Sequence, residues 1–134
     1  MTKKLGVISQ MRPKIKSQGV VDLDGLAARI ARQSTTFDED EMYGIFRKMT
    51  REIVAALENG ETVKLDGLLN ITPQMKVGGT VSLSLRPDRS LISRLSNPTL
   101  WTADKLINHH NMRKPTEVLL AEWQIAHPDD PIVD

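Results

Sequence analysis

The longest regular pattern of hydrophobic and polar positions lies between residues 38 and 58. Apolar residues recur there at steps of three and four, the spacing of one helix face, with charged residues between them. Asp38 can accept hydrogen bonds from first-turn amides, and Glu41 follows three residues later, as in a capping box. The pattern predicts a long amphipathic helix that begins after Asp38. Its apolar stripe comprises Met42, Ile45, Phe46, Met49, Ile53, Ala56 and Leu57.

The period changes from that of a helix to that of a strand directly after this stretch. Asn59-Gly60 tolerates the left-handed backbone that ends many helices, and residues 61–65 then alternate between polar and apolar. Asp66-Gly67 is a tight-turn signal, Gly78-Gly79 predicts a second turn, and residues 81–86 alternate again. Three strands are therefore predicted, with Pro73 restricted to an edge or a bulge because it lacks an amide donor.

Weaker signals surround this core pattern. Asp22 or Asp24 can cap a short helix whose apolar stripe runs to Ala31, and Asp88 can cap another that ends before Pro98. Residues 5–8 and 14–16 are predicted to be extended, as one or two edge strands. Beyond residue 98, two short helices are predicted, one from Thr102 through residue 107 and one from Pro115-Thr116. We therefore divide the chain into a basic N-terminal arm (1–21), a central α+β domain (22–97) and a helical extension with an acidic tail (98–134).

Composition sets further limits. The chain has 134 residues, a formal net charge of +1, no cysteine, and only two tryptophans, one tyrosine and two phenylalanines. A core so poor in aromatic residues indicates help from a partner chain. The lack of cysteine excludes disulfides and thiolate metal sites, and no apolar run has the length of a membrane span. These features predict a cytoplasmic protein.

Charge is distributed unevenly along the chain. Residues 1–21 contain Lys3, Lys4, Arg12, Lys14 and Lys16 and no acidic residue. Residues 61–97 are mildly basic, whereas the long helix and the segment after Pro98 are acidic on balance. Basic blocks of this kind suit a polyanionic partner, although a solvated, solubilising surface explains them equally well from charge alone.

No pattern indicates catalysis. His109 and His110 are adjacent, so on a helix their side chains point about 100° apart and cannot easily share one metal ion. The sequence contains no phosphate-cradling glycine loop, nucleophile elbow or zinc-hydrolase motif. We therefore expect no enzyme activity, no metal and no cofactor.

Residues 14–97 resemble the HU and integration host factor family. The matching features are the short helix at 23–32, the long helix from Asp38, the junction at 59–65 and the hairpin at 67–71. Lys16-Ser17-Gln18-Gly19 before the first helix and the strand-Arg-Pro-Asp-helix segment at 85–95 are most similar to the Bacteroidetes branch of the family. Leu69 stands where the family signature has glycine.

The resemblance implies an α+β IHF/HU-like fold, with a two-helix base, a three-stranded sheet and a C-terminal helix in an intertwined homodimer. Such proteins bind and bend DNA in the minor groove, as in the bacterial nucleoid, where they condense DNA in a histone-like manner. Family members carry a long arm tipped by proline between the second and third strands. Here about six residues separate Pro73 from Thr80 and the tip lacks proline, so strong bending is not expected.

The predicted partner is therefore double-stranded DNA, bound through phosphates with little sequence preference. The alternative is a dimeric scaffold or protein-interaction module of the same fold with little DNA affinity, and the C-terminal helices could serve a protein partner. The predicted dimer core is Ile45, Phe46, Met49, Ile53, Leu83 and Leu85. The predicted DNA-binding residues are Arg12, Lys14, Lys16, Lys64, Lys76, Arg86 and Arg89.

Overall fold

The structure, a computed structural model, describes residues 1–134 as an α+β chain. Its helices are α1 (Lys4–Met11), α2 (Leu23–Ala31), α3 (Glu39–Glu58), α4 (Arg89–Leu95) and α5 (Thr116–Ala126). Its strands are β1 (Thr2–Lys3), β2 (Lys14–Ile15), β3 (Val63–Leu65), β4 (Leu69–Met75), β5 (Val81–Pro87), β6 (Leu106–Ile107) and β7 (Ile132–Val133). Two short 3-10 turns lie at Pro98–Leu100 and His109–Asn111.

The chain forms two compact units. Gly19–Ser96 is one unit, called here the central unit, and it contains α2, α3, α4 and strands β3 to β5. Met1–Gln18 and Asn97–Asp134 together form the terminal unit, with α1, α5 and the remaining strands. The N-terminal arm and the C-terminal extension, which were predicted from the sequence as separate segments, therefore pack together.

Aspartate caps begin each helix of the central unit. The Oδ1 atoms of Asp22, Asp38 and Asp88 each accept a hydrogen bond of 2.8 Å from a backbone amide two or three residues later. These bonds satisfy amides of the first turn that have no partner within the helix. The caps predicted at Asp38 and Asp88 are confirmed, and the structure selects Asp22 over Asp24.

Two glycines with positive φ lie at the end of α3 and in the first turn of the sheet. Gly60 has φ 79° and follows the last turn of α3, where its amide donates to the Leu57 carbonyl at 3.0 Å. Gly67 also has φ 79°, in the turn that joins β3 to β4. A side chain at either position would be strained, which explains the helix stop and the tight turn.

The three strands form an antiparallel sheet in the order β3-β4-β5, as predicted. Strand β3 is short and pairs with β4 only as far as Ile71, whereas β5 pairs with β4 along its whole length. At Pro73, β4 therefore has a strand neighbour on one side only. The missing amide costs no hydrogen bond to β3, which is how a proline is accommodated in the middle strand.

Residues 5–8 of the terminal unit are helical, so the extended conformation predicted for them is wrong. Helix α1 spans Lys4–Met11 and packs against α5, where Val7, Leu119 and Trp123 are buried. Asn108 Nδ2 donates to the Gln10 and Arg12 carbonyls at 2.6 and 3.1 Å. Asn111 Nδ2 donates to the Met11 carbonyl at 2.7 Å.

These two asparagines satisfy carbonyls at the end of α1 that have no partner within the helix. They lie about a hundred residues further along the chain, so the pattern of residues 5–8 alone does not predict these hydrogen bonds. Asn108 itself adopts φ 58°, a left-handed conformation that asparagine tolerates better than most residues. Tertiary contacts thus decide the conformation of α1.

The helix predicted from Thr102 through residue 107 is also wrong. Thr102 instead donates a side-chain hydrogen bond to the Asp104 carboxylate in a turn, and Leu106–Ile107 forms strand β6, antiparallel to β2. The predicted extended conformation of residues 14–16 is found in β2, and the helix predicted after Pro115 is found as α5. Parallel pairing of β1 with β7 completes the terminal unit.

Buried side chains are concentrated in the terminal unit. Val7, Leu106, Leu119 and Trp123 are buried there, whereas Ala27 is the only fully buried hydrophobic residue of the central unit. Helix α3 has no buried residue along its twenty positions. No helix of the chain combines the length and the apolar character needed to cross a bilayer.

Candidate nucleic-acid interface

The sheet of the central unit has two faces of opposite chemistry. Residues that face each other on antiparallel strands point to the same side, and neighbours along a strand point to opposite sides. The register therefore assigns all even-numbered residues of the sheet to one side and all odd-numbered residues to the other. The even side is polar throughout. It carries Lys64, Asn70, Thr72, Gln74, Ser82, Ser84 and Arg86.

One row of this polar face places two cations beside an amide. Lys64 on β3 pairs with Asn70 on β4, which in turn pairs with Arg86 on β5. Neighbouring strands lie about 4.8 Å apart, so the Lys64 and Arg86 backbones are separated by roughly 10 Å. Both side chains are exposed, and Asn70 between them is half-buried. The sheet thus presents a positive row with a hydrogen-bonding side chain at its centre.

The cations of this row are largely free of carboxylate partners. Lys64 Nζ lies 3.9 Å from the Asp66 carboxylate, but both side chains are mostly exposed, so the ion pair is weak. Arg86 takes part in no ion pair. A phosphate oxygen can therefore bind to Arg86 without first displacing an acidic side chain.

Hydroxyl and amide side chains continue the polar face next to the cationic row. Thr72 pairs with Ser84 and Gln74 with Ser82 across β4 and β5. The hydroxyls of Thr62 and Thr72 lie 3.2 Å apart and share a hydrogen bond. Such groups bind phosphate and sugar oxygens without selecting a base. The sequence did not predict a binding role for these residues, although the alternation of Ser82 and Ser84 with Val81, Leu83 and Leu85 was a usable signal.

The turn beyond β4 carries Lys76. The Lys76 amide donates to the Thr80 carbonyl at 2.8 Å, and the Gly79 amide donates to the Lys76 carbonyl at 3.1 Å. Gly78 and Gly79 have φ 94° and 88°, which this closed turn requires. Val77 at the tip is fully exposed. The structure thus joins β4 to β5 by a tight turn, with one cation at its base.

Arg89 lies at the other end of the sheet, in the first turn of α4, directly after the Asp88 cap. Hydrogen bonds from the Ser90 side chain and amide lower the pKa of Asp88, and the charge of Lys64 lowers it further. Asp88 therefore stays ionised near Lys64 and reduces the positive potential at this end of the row. Arg89 is exposed and takes part in no ion pair.

The predicted DNA-binding residues fall into two groups. Lys64 and Arg86 share a row of the sheet, and Lys76 and Arg89 lie beyond its two ends in the same unit. The other group is the predicted set from the N-terminal arm, in or next to strand β2 of the terminal unit. It comprises Arg12, Lys14 and Lys16.

The odd-numbered side of the sheet is apolar and open. Val81, Leu83 and Leu85 are 58%, 53% and 59% exposed, although they alternate with serines that are only half-exposed. With the second half of α3, this side borders an open groove of about 500 Å³. Its apolar lining is Val54, Leu57, Pro73, Met75, Val81 and Leu83.

The predicted dimer-core residues of α3 are also incompletely covered. Ile45 and Met49 are each 45% exposed, and Phe46 and Ile53 are half-buried. Leu83 and Leu85, the two predicted core residues of the sheet, lie on the open apolar side. A single copy of the chain therefore leaves all six predicted core positions in contact with solvent.

Comparison with known proteins gives structural likenesses only. No family model and no curated protein matches the sequence. Among solved structures, the chain is similar to one described as an Anabaena HU-DNA cocrystal structure, with a TM-score of 0.49 and 11% sequence identity. That likeness covers 58% of this chain and all of the other. At these values it carries no conclusion about function.

Proposed function

We propose that this protein is an HU-like architectural DNA-binding protein that acts as a homodimer and contacts duplex DNA mainly through phosphates. The observation that carries the proposal is the Lys64–Asn70–Arg86 row on a fully polar sheet face. The sequence resemblance of residues 14–97 to the HU and integration host factor family supports the same assignment. Lys76 and Arg89 extend the contact surface at the two ends of the sheet.

The chemistry of the polar face favours binding without strong sequence preference. Lysine and arginine displace counterions from phosphates, and this contribution does not depend on base sequence. Serine and threonine hydroxyls beside them add contacts to phosphate and sugar. Asn70 and Gln74 are the two amide side chains of this face, and so few groups suited to reading base edges should give only a modest sequence preference.

Homodimer formation is supported by the exposed apolar surface of the central unit. Full burial of a leucine or valine side chain contributes about 1.5–3 kcal/mol, so covering the exposed half of each contributes roughly 1 kcal/mol. Val81, Leu83 and Leu85 on the sheet and Ile45 and Met49 on α3 are all about half exposed. A second copy presents the same complementary set of apolar residues, as a two-fold interface requires.

The short turn between β4 and β5 supports limited bending of the bound DNA. Proteins that kink the minor groove insert an apolar wedge between base steps. Val77 is the only apolar side chain in the turn, and two glycines follow it. Smooth bending of a short site costs on the order of 1–6 kcal/mol, and a few phosphate contacts offset only the lower part of that range.

The proposal is tested by removing the two cations of the row together. We expect Lys64→Gln with Arg86→Gln to weaken binding to random duplex DNA, and to weaken it equally for unrelated sequences, in fluorescence anisotropy titrations. Lys48→Gln with Arg51→Gln is the matched control, since both residues are exposed on α3 and the change in charge is identical. Equal affinities for the two double variants would contradict the assignment of the polar face.

The alternative scaffold function makes a different prediction in the same titration. A protein that uses the fold only for dimerisation and protein contacts would bind random duplex negligibly even at low salt. The incompletely covered apolar surface favours dimerisation under either function. DNA affinity of the unmodified protein therefore distinguishes the two functions.

A further inference from the structure

A small two-stranded ribbon in the terminal unit brings basic residues together from opposite ends of the chain. Strand β2 pairs antiparallel with β6, with Lys14 opposite Ile107 and Ile15 opposite Leu106. The register continues by one pair, because the Lys16 amide donates to the Lys105 carbonyl at 2.8 Å. Residues 14 and 16 are two apart on β2, so Lys14, Lys16 and Lys105 lie on one side of the ribbon.

Lys16 and Lys105 directly face each other across the ribbon. Like charges at opposite positions of an antiparallel pair are destabilising, so this arrangement does not serve the stability of the ribbon. Neither Lys14, Lys16 nor Lys105 takes part in an ion pair. Lys105 Nζ donates to the Leu100 carbonyl at 3.0 Å, which limits the movement of its side chain. The ribbon thus holds a preformed cluster of cations.

One carboxylate, that of Asp104, lies close to this cluster. A hydrogen bond from the Thr102 hydroxyl is the main cause of its lowered pKa, and the charges of Lys105 and Lys16 contribute to the same shift. Thr102 fixes the carboxylate in the turn before β6. Asp104 therefore stays ionised at neutral pH and partly neutralises the two lysines without forming a close ion pair with either.

We propose that the β2–β6 ribbon is a second binding surface for the phosphate backbone of duplex DNA, formed by Lys14, Lys16 and Lys105 and weakened by Asp104. The choice of duplex DNA as the polyanion rests on the proposed function. Lys105 and Asp104 belong to a C-terminal segment that is acidic on balance, so the charge of that segment does not predict binding to DNA. The pairing of β2 with β6 is what places these two residues beside Lys14 and Lys16. The role of Asp104 is to limit affinity by competing with phosphate for the same lysines.

The test uses single substitutions in the full chain and the affinity for random duplex DNA. Lys105→Gln should weaken binding and make the plot of log affinity against log salt shallower by about 0.9 for each ribbon engaged. Asp104→Asn should strengthen binding at least twofold. Lys4→Gln and Asp129→Asn are the controls: both residues are exposed in the same unit, and the charge changes are identical.

Lys16→Gln provides an independent check should either change at 104 or 105 disturb the turn, and it should reproduce the effect of Lys105→Gln. Circular dichroism verifies that each variant is folded. If these variants behave like their charge-matched controls while Lys64→Gln with Arg86→Gln loses affinity, the ribbon proposal is overturned and the proposed function stands. If the unmodified protein does not bind duplex DNA at low salt, both are overturned.

Discussion

Replacement of Leu83 by alanine tests the proposed homodimer most sharply among the apolar positions. Leu83 lies on β5, pairs with Pro73 across the sheet and borders the open groove beside α3. It is 53% exposed in a single copy. The free energy lost on truncation therefore depends strongly on whether a second copy covers the remaining half of the side chain.

The free-energy cost of this truncation differs between a monomer and a dimer, both in its size and in its dependence on protein concentration. Within a single chain, only the covered half of Leu83 contributes, so truncation should cost roughly 1 kcal/mol. In a dimer that buries the whole side chain, a leucine-to-alanine change costs about 2–5 kcal/mol per copy, and both copies carry the change. About 1 kcal/mol of that cost is lost within the single chain, so dissociation of the dimer loses about 1–4 kcal/mol per copy. Since 1.4 kcal/mol corresponds to a factor of ten, the change in both copies should raise the dimer dissociation constant by roughly thirtyfold or more.

Sedimentation equilibrium and urea unfolding at several protein concentrations provide the measurements. The unmodified protein should sediment as a dimer, and its unfolding midpoint should rise with concentration, because association stabilises only the folded state. Leu83→Ala should shift the protein toward monomer or unfold it. Val20→Ala is the control, since Val20 is 96% exposed in the same unit. A stable folded monomer of the unmodified protein at micromolar concentration would refute the reasoning.

Two further predictions concern acid stability and DNA bending. Hydrogen bonds lower the pKa of Asp88, Asp104 and Asp130, so the stability that each contributes is complete above its unfolded pKa of about 3.9 and is lost as pH falls through the lowered value. The urea concentration at the unfolding midpoint should therefore decline below about pH 4, and it should decline less steeply in Asp88→Asn. An identical decline in that variant would show that protonation of Asp88 does not contribute to the loss of stability. Energy transfer between the ends of a labelled duplex should show a straight or smoothly bent site, unaltered by Val77→Ala; a sharp kink would show that another residue enters the base stack.

The central unit was predictable because its signals are local. Asp22, Asp38 and Asp88 lie two or three residues before the amides that they cap, and Gly67 lies within the turn that it permits. The alternation of residues along β3 and β5 was equally visible in the sequence. The residues that determine each of these features lie within a few positions of one another in the sequence, so the features could be predicted without knowledge of tertiary contacts.

The terminal unit was less predictable because distant residues determine it. Helix α1 takes side-chain bonds from Asn108 and Asn111, and β6 exists by pairing with β2 about ninety residues earlier. A local pattern at residues 5–8 or 102–107 does not contain these partners. The same limit applies to the candidate sites. Lys64 and Arg86 were predicted from their charge and from the family resemblance, while the position of Lys105 opposite Lys16 depends on a non-local register.

The salt dependence of binding to random duplex DNA tests the central claim most directly. In the proposed homodimer, Lys64 and Arg86 of both copies account for about four phosphate contacts, so the slope of log affinity against log salt should be near −3.6 or steeper. Affinity should then fall by roughly a hundredfold or more between about 50 and 200 mM salt, with similar values for duplexes of unrelated sequence. Negligible affinity at the lower salt concentration, or binding that is insensitive to salt, would contradict the account.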